Sequence, residues 1–338
     1  MKKVLLLVGA AVLSLSSRAQ LSKVDEIYAQ RVEGQNVDTV AWIKNANFYL
    51  GGNQGLLHNW AAGGELASLA VNAVLNGNIV RYYNRHVWTN TVDANYALFY
   101  AYSNSFQPRK TDDRLDYTSK YGYRLGDKNT HFYISGLLNA KTQFSKGYNY
   151  DLPNWRDSST SGFLSPLYVL VSPGIEYRRG SMLSVFLSPA AMRMTFVSKD
   201  YTSRSDVGAF GVPYNKNLRM EVGAYMSARY QKDITKNITY RGRLDLYSNY
   251  LAKNTYDING NMIKKDNPGN IDILFDHFIA FKFFKYFSAN FGLTAIYDND
   301  VPFIPTKDAN GNAIKEPISG LGWWQIKQTF TVGFTYKF

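Results

Sequence analysis

From about Trp42 to Phe338 the chain divides into twelve segments of some 14 to 18 residues, in which apolar and polar side chains alternate and a turn signal closes each run. They cover roughly 43–59, 66–82, 87–103, 113–126, 130–146, 165–178, 181–197, 217–232, 237–252, 270–284, 286–299 and 323–338. A two-residue period gives a strand one greasy face and one wet face. In the second segment Leu69, Val71, Ala73 and Leu75 oppose Ser68, Asn72, Asn76 and Asn78. In the eighth, Met220, Val222, Ala224, Met226 and Tyr230 oppose Arg219, Glu221, Tyr225, Arg229 and Gln231. The ninth sets Tyr240, Leu244, Leu246 and Tyr250 against Arg241, Arg243, Asp245 and Asn249. Strands of a soluble sandwich average about five or six residues, so runs of this length point to strands that cross a membrane.

The connectors alternate too. Tyr83-Asn84-Arg85, Asp127-Lys128-Asn129, Arg179-Gly180, the stretch around Lys232 to Lys236, and Lys285 are short. The stretches 60–65, 104–112, 147–164, 199–216, 253–269 and 300–322 are mostly long. Short periplasmic turns interleaved with longer external loops are the pattern of outer-membrane barrels, and an even strand count suits closure with both termini on one side. The expected fold is all-β: a monomeric, transmembrane, up-and-down antiparallel β-barrel of about 12 strands. Pro173 and Pro189 interrupt the sixth and seventh segments. Proline cannot donate to the ladder, so a bulge is expected at each.

The N-terminal MKKVLLLVGAAVLSLSSRAQ has Lys2 and Lys3, an apolar run from Val4 to about Leu15, and Ser17-Arg18-Ala19. It reads as a secretory signal peptide over residues 1–19, cut after Ala19. The apolar run is shorter than the roughly 20 residues of a spanning helix. Residues 20–41 are polar with little period and are expected to form a periplasmic extension, leaving 42–338 for the barrel. The chain has no cysteine, which excludes disulfides and thiolate chemistry. Its formal charge of +12 suits anionic lipid head groups and lipopolysaccharide phosphates, and an exported protein has no nucleic acid to meet.

The last strand places Phe330, Val332, Phe334, Tyr336 and Phe338 on one parity and Thr329, Thr331, Gly333, Thr335 and Lys337 on the other. An aromatic C-terminal strand of this kind resembles the signal by which the outer-membrane insertion machinery takes up barrels, with Phe334, Tyr336 and Phe338 as its residues. That strand is also expected to pair with the first, so both termini belong in the periplasm and the protein in a bacterial outer membrane.

Two external loops share a phrase, Asp257-Ile-Asn259-Gly260-Asn261-Met-Ile263 and Asp308-Ala-Asn310-Gly311-Asn312-Ala-Ile314. A calcium loop needs Gly at its sixth position and Glu at its twelfth. Here Gly is fourth, and the twelfth residues are Pro268 and Ser319. Asn-Gly instead marks a hairpin. Strands nine to twelve are therefore expected to project beyond the membrane, with loops 253–269 and 300–322 as contact surfaces for a protein partner. His58, His86, His131 and His277 show no metal-site spacing, and no metal or cofactor is expected. His131 and Ser135 share a strand face, but roughly 13 Å of strand rise separates them, against about 3 Å for proton transfer. No catalytic residue follows, and enzymatic activity is not expected. A third functional class, an outer-leaflet lipid-modifying enzyme, would need a Ser or His with a partner on a neighbouring strand.

The inward set carries the charge: Asp93, Arg114, Asp116, Lys120, Arg124, Lys141, Glu176, Arg178, Arg193 and Lys282, and above all Arg219, Glu221, Arg229, Arg241, Arg243, Asp245, Asp272 and Asp276. Two readings stand side by side. Arginines on strands eight and nine facing acids on strands nine and ten would make a narrow channel with a basic and an acidic wall, for small polar or anionic solutes. The same residues as cross-strand ion pairs would fill the interior and suit a structural or accessory subunit of a larger outer-membrane complex. Eight-stranded barrels are filled by side chains and barrels of about 16 to 18 strands conduct, so twelve lies between.

Trp60, Trp323 and Trp324 are the expected anchors at the membrane interface. The surrounding run, LHNWAAGGE from Leu57 to Glu65, follows one long strand and precedes an Asn-rich second one. It resembles a hallmark of a Bacteroidota outer-membrane β-barrel family catalogued as a domain of unknown function (number 3078), with the likeness extending from about Ala41 to Phe338. The resemblance implies an outer-membrane barrel with a periplasm-facing N-terminus, and it brings no catalytic residues.

Overall fold

The computed structural model describes residues 41–56, 66–127, 129–150, 152, 154–180, 182–205, 208–256, 262–264, 266–284, 286–297, 306–307, 313–314 and 324–337. The expected signal peptide, residues 20–40 of the extension, His58, Trp60, Trp323, Phe338 and most of loop 300–322 lie outside them.

Twelve strands close into one antiparallel barrel. They are β1 (Ala41–Leu56), β2 (Ala67–Tyr83), β3 (His86–Ala101), β4 (Arg109–Arg124), β5 (Phe132–Thr142) and β6 (Leu167–Arg179). The second half comprises β7 (Leu183–Phe196), β8 (Leu218–Thr235), β9 (Ile238–Asn249), β10 (Ile271–Phe284), β11 (Phe287–Tyr297) and β12 (Trp324–Lys337). Each strand pairs with its sequence neighbours, and β12 returns to β1. Hydrocarbon offers a backbone N–H or C=O no partner, and a closed ladder is the one strand arrangement that leaves no edge unpaired. Among the described residues no helix is long and apolar enough to cross a membrane.

The alternation maps onto the two faces as the sequence predicts. Leu50, Leu75, Ile134, Leu187, Met220 and Phe330 are exposed on the outside. Asp116, Glu176, Glu221, Asp245 and Asn290 are buried on the inside. An apolar exterior over a polar core inverts a soluble protein and fits lipid as the surrounding solvent. The short connectors all lie at one end, which also carries Ala41 and Lys337, and the long ones at the other.

The seam is the shortest joint. β1 and β12 register only from Asn47↔Lys337 to Gly51↔Gly333, whereas β1 and β2 pair from Ala41↔Tyr82 to Leu56↔Ala67. Outside the seam Leu50 meets Phe334 and Phe48 meets Tyr336. Inside, the Tyr49 ring lies over Gly51, and a Cβ on Gly333 would come within 2.6 Å of both the Gly51 Cα and the Leu50 carbonyl oxygen. The closing strands approach this closely because both positions lack side chains.

The two expected bulges are one. Pairing of β7 with β8 slips between Ser188↔Tyr225 and Ala191↔Gly223, and pairing with β6 slips between Ile175↔Leu187 and Val171↔Met192. Both slips place one extra residue on β7, at Pro189. Ser188 Oγ accepts from the Ala190 N–H at 3.3 Å and Tyr250 donates to the Pro189 carbonyl at 3.0 Å, so the bulge leaves these groups satisfied. Pro173 makes no bulge of its own. It keeps register with Gly136 on β5 and lies opposite the β7 break, where no partner requires its missing N–H.

Two further expectations change. β5 ends at Thr142 instead of near 146, because Asp113 accepts from the Phe144 and Ser145 N–H groups at 2.7 and 2.9 Å and draws the chain off the ladder. The Asn-Gly loops are flanked by strand pairs, Thr255↔Lys264 with Tyr256↔Met262, and Thr306↔Ile314 with Lys307↔Ala313. These are separate two-stranded sheets, not continuations of β9 to β12, and the Asn-Gly residues themselves lie outside the described ones.

Candidate functional site: the charged lumen

The inward faces of β4 to β10 hold the charge in four centres. Glu176 on β6 is 1 % exposed and accepts from Lys120 Nζ at 2.5 Å, Ser184 Oγ at 2.7 Å, and Ser135 Oγ and Arg178 Nε at 3.2 Å each. Lys120 comes from β4, and the guanidinium of Arg178 continues to Thr89 on β3 at 3.3 Å. The second centre is Glu221 on β8, which takes Arg193 from β7 at 2.7 and 3.0 Å, Arg219 at 2.8 Å and Asn249 at 2.9 Å. Arg193 also donates to Asp272 on β10 at 2.6 Å and lies 4.2 Å above the Tyr247 ring.

In the third centre Arg243 on β9 binds Asp245 at 2.6 and 2.7 Å and then crosses to Asp116 on β4 at 3.2 Å. Those two strands stand five places apart around the barrel. Asn139 holds the other Asp116 oxygen at 2.5 Å, Ser227 holds Asp245 at 2.7 Å, and Arg229 reaches Thr118 at 3.5 Å. In the fourth, Arg114 on β4 meets Asp276 on β10 at 3.9 Å, with Thr294 donating to the same carboxylate at 2.7 Å. Taking such charges out of water costs several kcal/mol each, and only dense pairing of this kind offsets it.

These contacts define the shape of the interior. Twelve tilted strands about 4.8 Å apart would make a circular barrel roughly 24 Å across. An Arg and an Asp joined end to end span only roughly 15 Å between backbones. The barrel is therefore flattened between β4 and β10, and side chains from opposite walls meet across its middle.

All eight residues expected to line the lumen point inward, but they do not form a basic wall against an acidic one. Arg219 with Glu221, and Arg243 with Asp245, neutralise each other on a single strand. Arg241 lies over the Phe278 ring at 5.7 Å, with its Nε making no hydrogen bond. The partners that tie the walls together, Asp116, Lys120, Glu176, Arg178 and Arg193, belong to the wider inward set and are as central as the eight.

Toward the long-loop end the flattened lumen opens into a cavity of about 450 Å³, lined by Asp112, Arg114, Lys141, Tyr168 and Lys327 among others. Asp112 is bonded to Lys327 across it and to Asn95. The Gly211 carbonyl accepts from Arg219 at 3.4 Å, so the loop between β7 and β8 turns inward on that side.

The remaining candidates stand apart. Trp324 packs on Tyr297 with ring centroids 5.4 Å apart, at the long-loop rim. Tyr286 stacks on both Phe334 and Tyr336 near the short-turn end. Ser135 is engaged by Glu176, whereas His131 packs on the Tyr177 ring, so the pair separated by strand rise in the sequence is not brought together. Among the described residues no group of three or more His, Asp or Glu side chains could hold a metal ion.

A family described as "Protein of unknown function (DUF3078)" matches residues 53–148, from the end of β1 to just past β5. That span contains the LHNWAAGGE run and is narrower than the likeness expected from the sequence. No curated protein matches the chain. Among solved structures, the COG4313 outer membrane channel from Pseudomonas putida F1 is 10 % identical, with 90 % of this chain and 96 % of that one aligned at a TM-score of 0.35. The translocator domain of the autotransporter NalP from Neisseria meningitidis is 8 % identical, over 95 % and 96 % of the two chains, with a TM-score of 0.31. OmpT, an outer membrane protein of Vibrio cholerae, is 8 % identical over 89 % and 98 %, with a TM-score of 0.30.

Proposed function

We propose that the protein is an outer-membrane barrel sealed to solutes at mid-height, which serves as a structural or accessory element and meets its partners at the long-loop end. The carrying observation is the Arg243–Asp116 bridge, which joins strands five places apart through the middle of the lumen. Glu176, toward the short turns, and Glu221, toward the long loops, are 1 % and 3 % exposed, so the interior is also packed on either side of that bridge. In this reading the short-turn end, with both chain ends, faces the periplasm, Phe334, Tyr336 and Phe338 serve the insertion machinery, and loops 253–269 and 300–322 meet a protein partner. The outer wall meets outer-membrane lipid and lipopolysaccharide. Trp60, Trp323 and Trp324 anchor the outer rim.

A second reading, a narrow channel for small polar or anionic solutes, draws support from the charged 450 Å³ cavity at the loop end. It requires the Arg243–Asp116 and Arg114–Asp276 contacts to part. Conductance of the purified, refolded protein in a planar bilayer separates the two. The sealed barrel is silent, and an Asp116→Ala, Arg243→Ala double variant shows steady openings. Steady openings of the unmodified protein would overturn the proposal in favour of the channel.

A further inference from the structure

The outer wall near the short turns carries a charge where lipid should meet only apolar groups. Arg81 lies on the outward parity of β2, two residues before the strand ends at Tyr83. Its backbone pairs with Trp42 on one side and Trp88 on the other. The guanidinium lies 5.6 Å from the Trp42 ring, and its Nε is covered and makes no hydrogen bond. Among the described residues no carboxylate pairs with it. Beside it is a hollow of about 210 Å³, lined by Arg81, Tyr83, His86, Trp88 and Tyr121. The internal hydrogen bonds of this group are already fixed. Trp88 donates to Ser119 at 3.0 Å, and His86 Nδ1 is joined to the Tyr121 hydroxyl at 2.5 Å, which leaves only Nε2 to meet a ligand.

An outward arginine costs about 2–4 kcal/mol at the bilayer midplane and little at the interface. At the interface the anion it can reach is a lipid phosphate, for which a guanidinium is suited by geometry as well as charge. Indole and phenol rings settle at the same depth. We infer that the hollow formed by Arg81, Tyr83, His86, Trp88 and Tyr121 is a binding site for the phosphate head group of an anionic glycerophospholipid in the periplasmic leaflet. Arg81 and His86 Nε2 hold the phosphate, and the aromatic rings flank the glycerol. The inference rests on the transmembrane orientation proposed above.

Phosphatidylglycerol is the probe, added to the purified barrel in detergent and counted by native mass spectrometry. One lipid is expected to stay on the unmodified barrel, and Arg81→Gln is expected to lower retention about tenfold, the equivalent of one charge-assisted hydrogen bond. Arg179→Gln removes an exposed cation at the same end of β6 and is expected to change nothing. Equal retention in Arg81→Gln, or an equal fall in both variants, overturns the site. Heat-modifiable migration of each variant on gels separates loss of the lipid from loss of the barrel. The orientation is read independently. The chain has no cysteine, so Arg85→Cys in the adjoining turn gives a single label site on whole cells. Protection from an impermeant maleimide supports the periplasmic leaflet, and labelling overturns that source even where lipid binding in detergent persists.

Discussion

The two sides of the lumen solve the same problem with different chemistry. From β4 to β10 the interior is ionic: Asp116, Lys120, Glu176, Arg178, Glu221 and Asp245 are buried and tied to partners on other strands. From β11 through β12 and β1 to β2 amides, hydroxyls and glycine predominate, with Asn45, Asn72, Asn76, Ser288, Asn290 and Thr329 inward beside the charged Lys327, and Ile43, Val80 and Tyr82 form an apolar cluster near the short turns. The ionic side holds strands that are far apart around the barrel, because only long charged side chains can reach across. The amide side holds the seam, where strands must approach closely and small residues are needed. Reach and closeness are separate demands, and each wall answers one.

The sharpest way to break this contrast is at the seam. In Gly333→Val the new side chain meets the Gly51 backbone, and most of the protein is expected to lose heat-modifiable migration; normal closure would show that the approach of β1 and β12 is not limiting. Next in size, Glu176→Ala leaves Lys120 and Arg178 buried without their acid. A loss of about 3–5 kcal/mol is expected in urea unfolding followed by tryptophan fluorescence. On the amide wall, Asn290→Ala removes a neutral hydrogen bond to Ser288 at 3.3 Å and should cost only about 1 kcal/mol in the same assay. If these last two variants were equally destabilised, the division into an ionic and an amide wall would carry no energetic meaning. Smallest of all, Ile134→Val on the lipid face trims one methyl from an exposed site, where a shift below about 0.5 kcal/mol is expected.

Period and punctuation made the barrel legible. All twelve segments appear, with ends that mostly move by a few residues, since a two-residue alternation is a local signal. The larger misjudgements come from contacts distant in sequence. Nothing near Phe144 announces that Asp113 will capture its N–H, and β4 starts at Arg109 because a register shift between Ala97 and Leu98 absorbs the charged run that hides its alternation. The inward residues were legible from parity, but their partners were not. Arg243 lies 127 residues from Asp116, and no spacing rule links them. The interfacial tryptophans show the same limit. Trp42 and Trp88 frame Arg81 only through the register of β1, β2 and β3.

Glu176 with Arg178, Arg219 with Glu221, and Arg243 with Asp245 each lie two residues apart on the same face of one strand. A hairpin that carries both signs at that spacing leaves water with its charge already cancelled, before any cross-lumen partner has arrived. The barrier to threading an ionic strand through hydrocarbon is then set by a dipole, which is far less costly than a lone ion. The order of assembly becomes independent of the long-range bridges, which can form last, as the walls draw together.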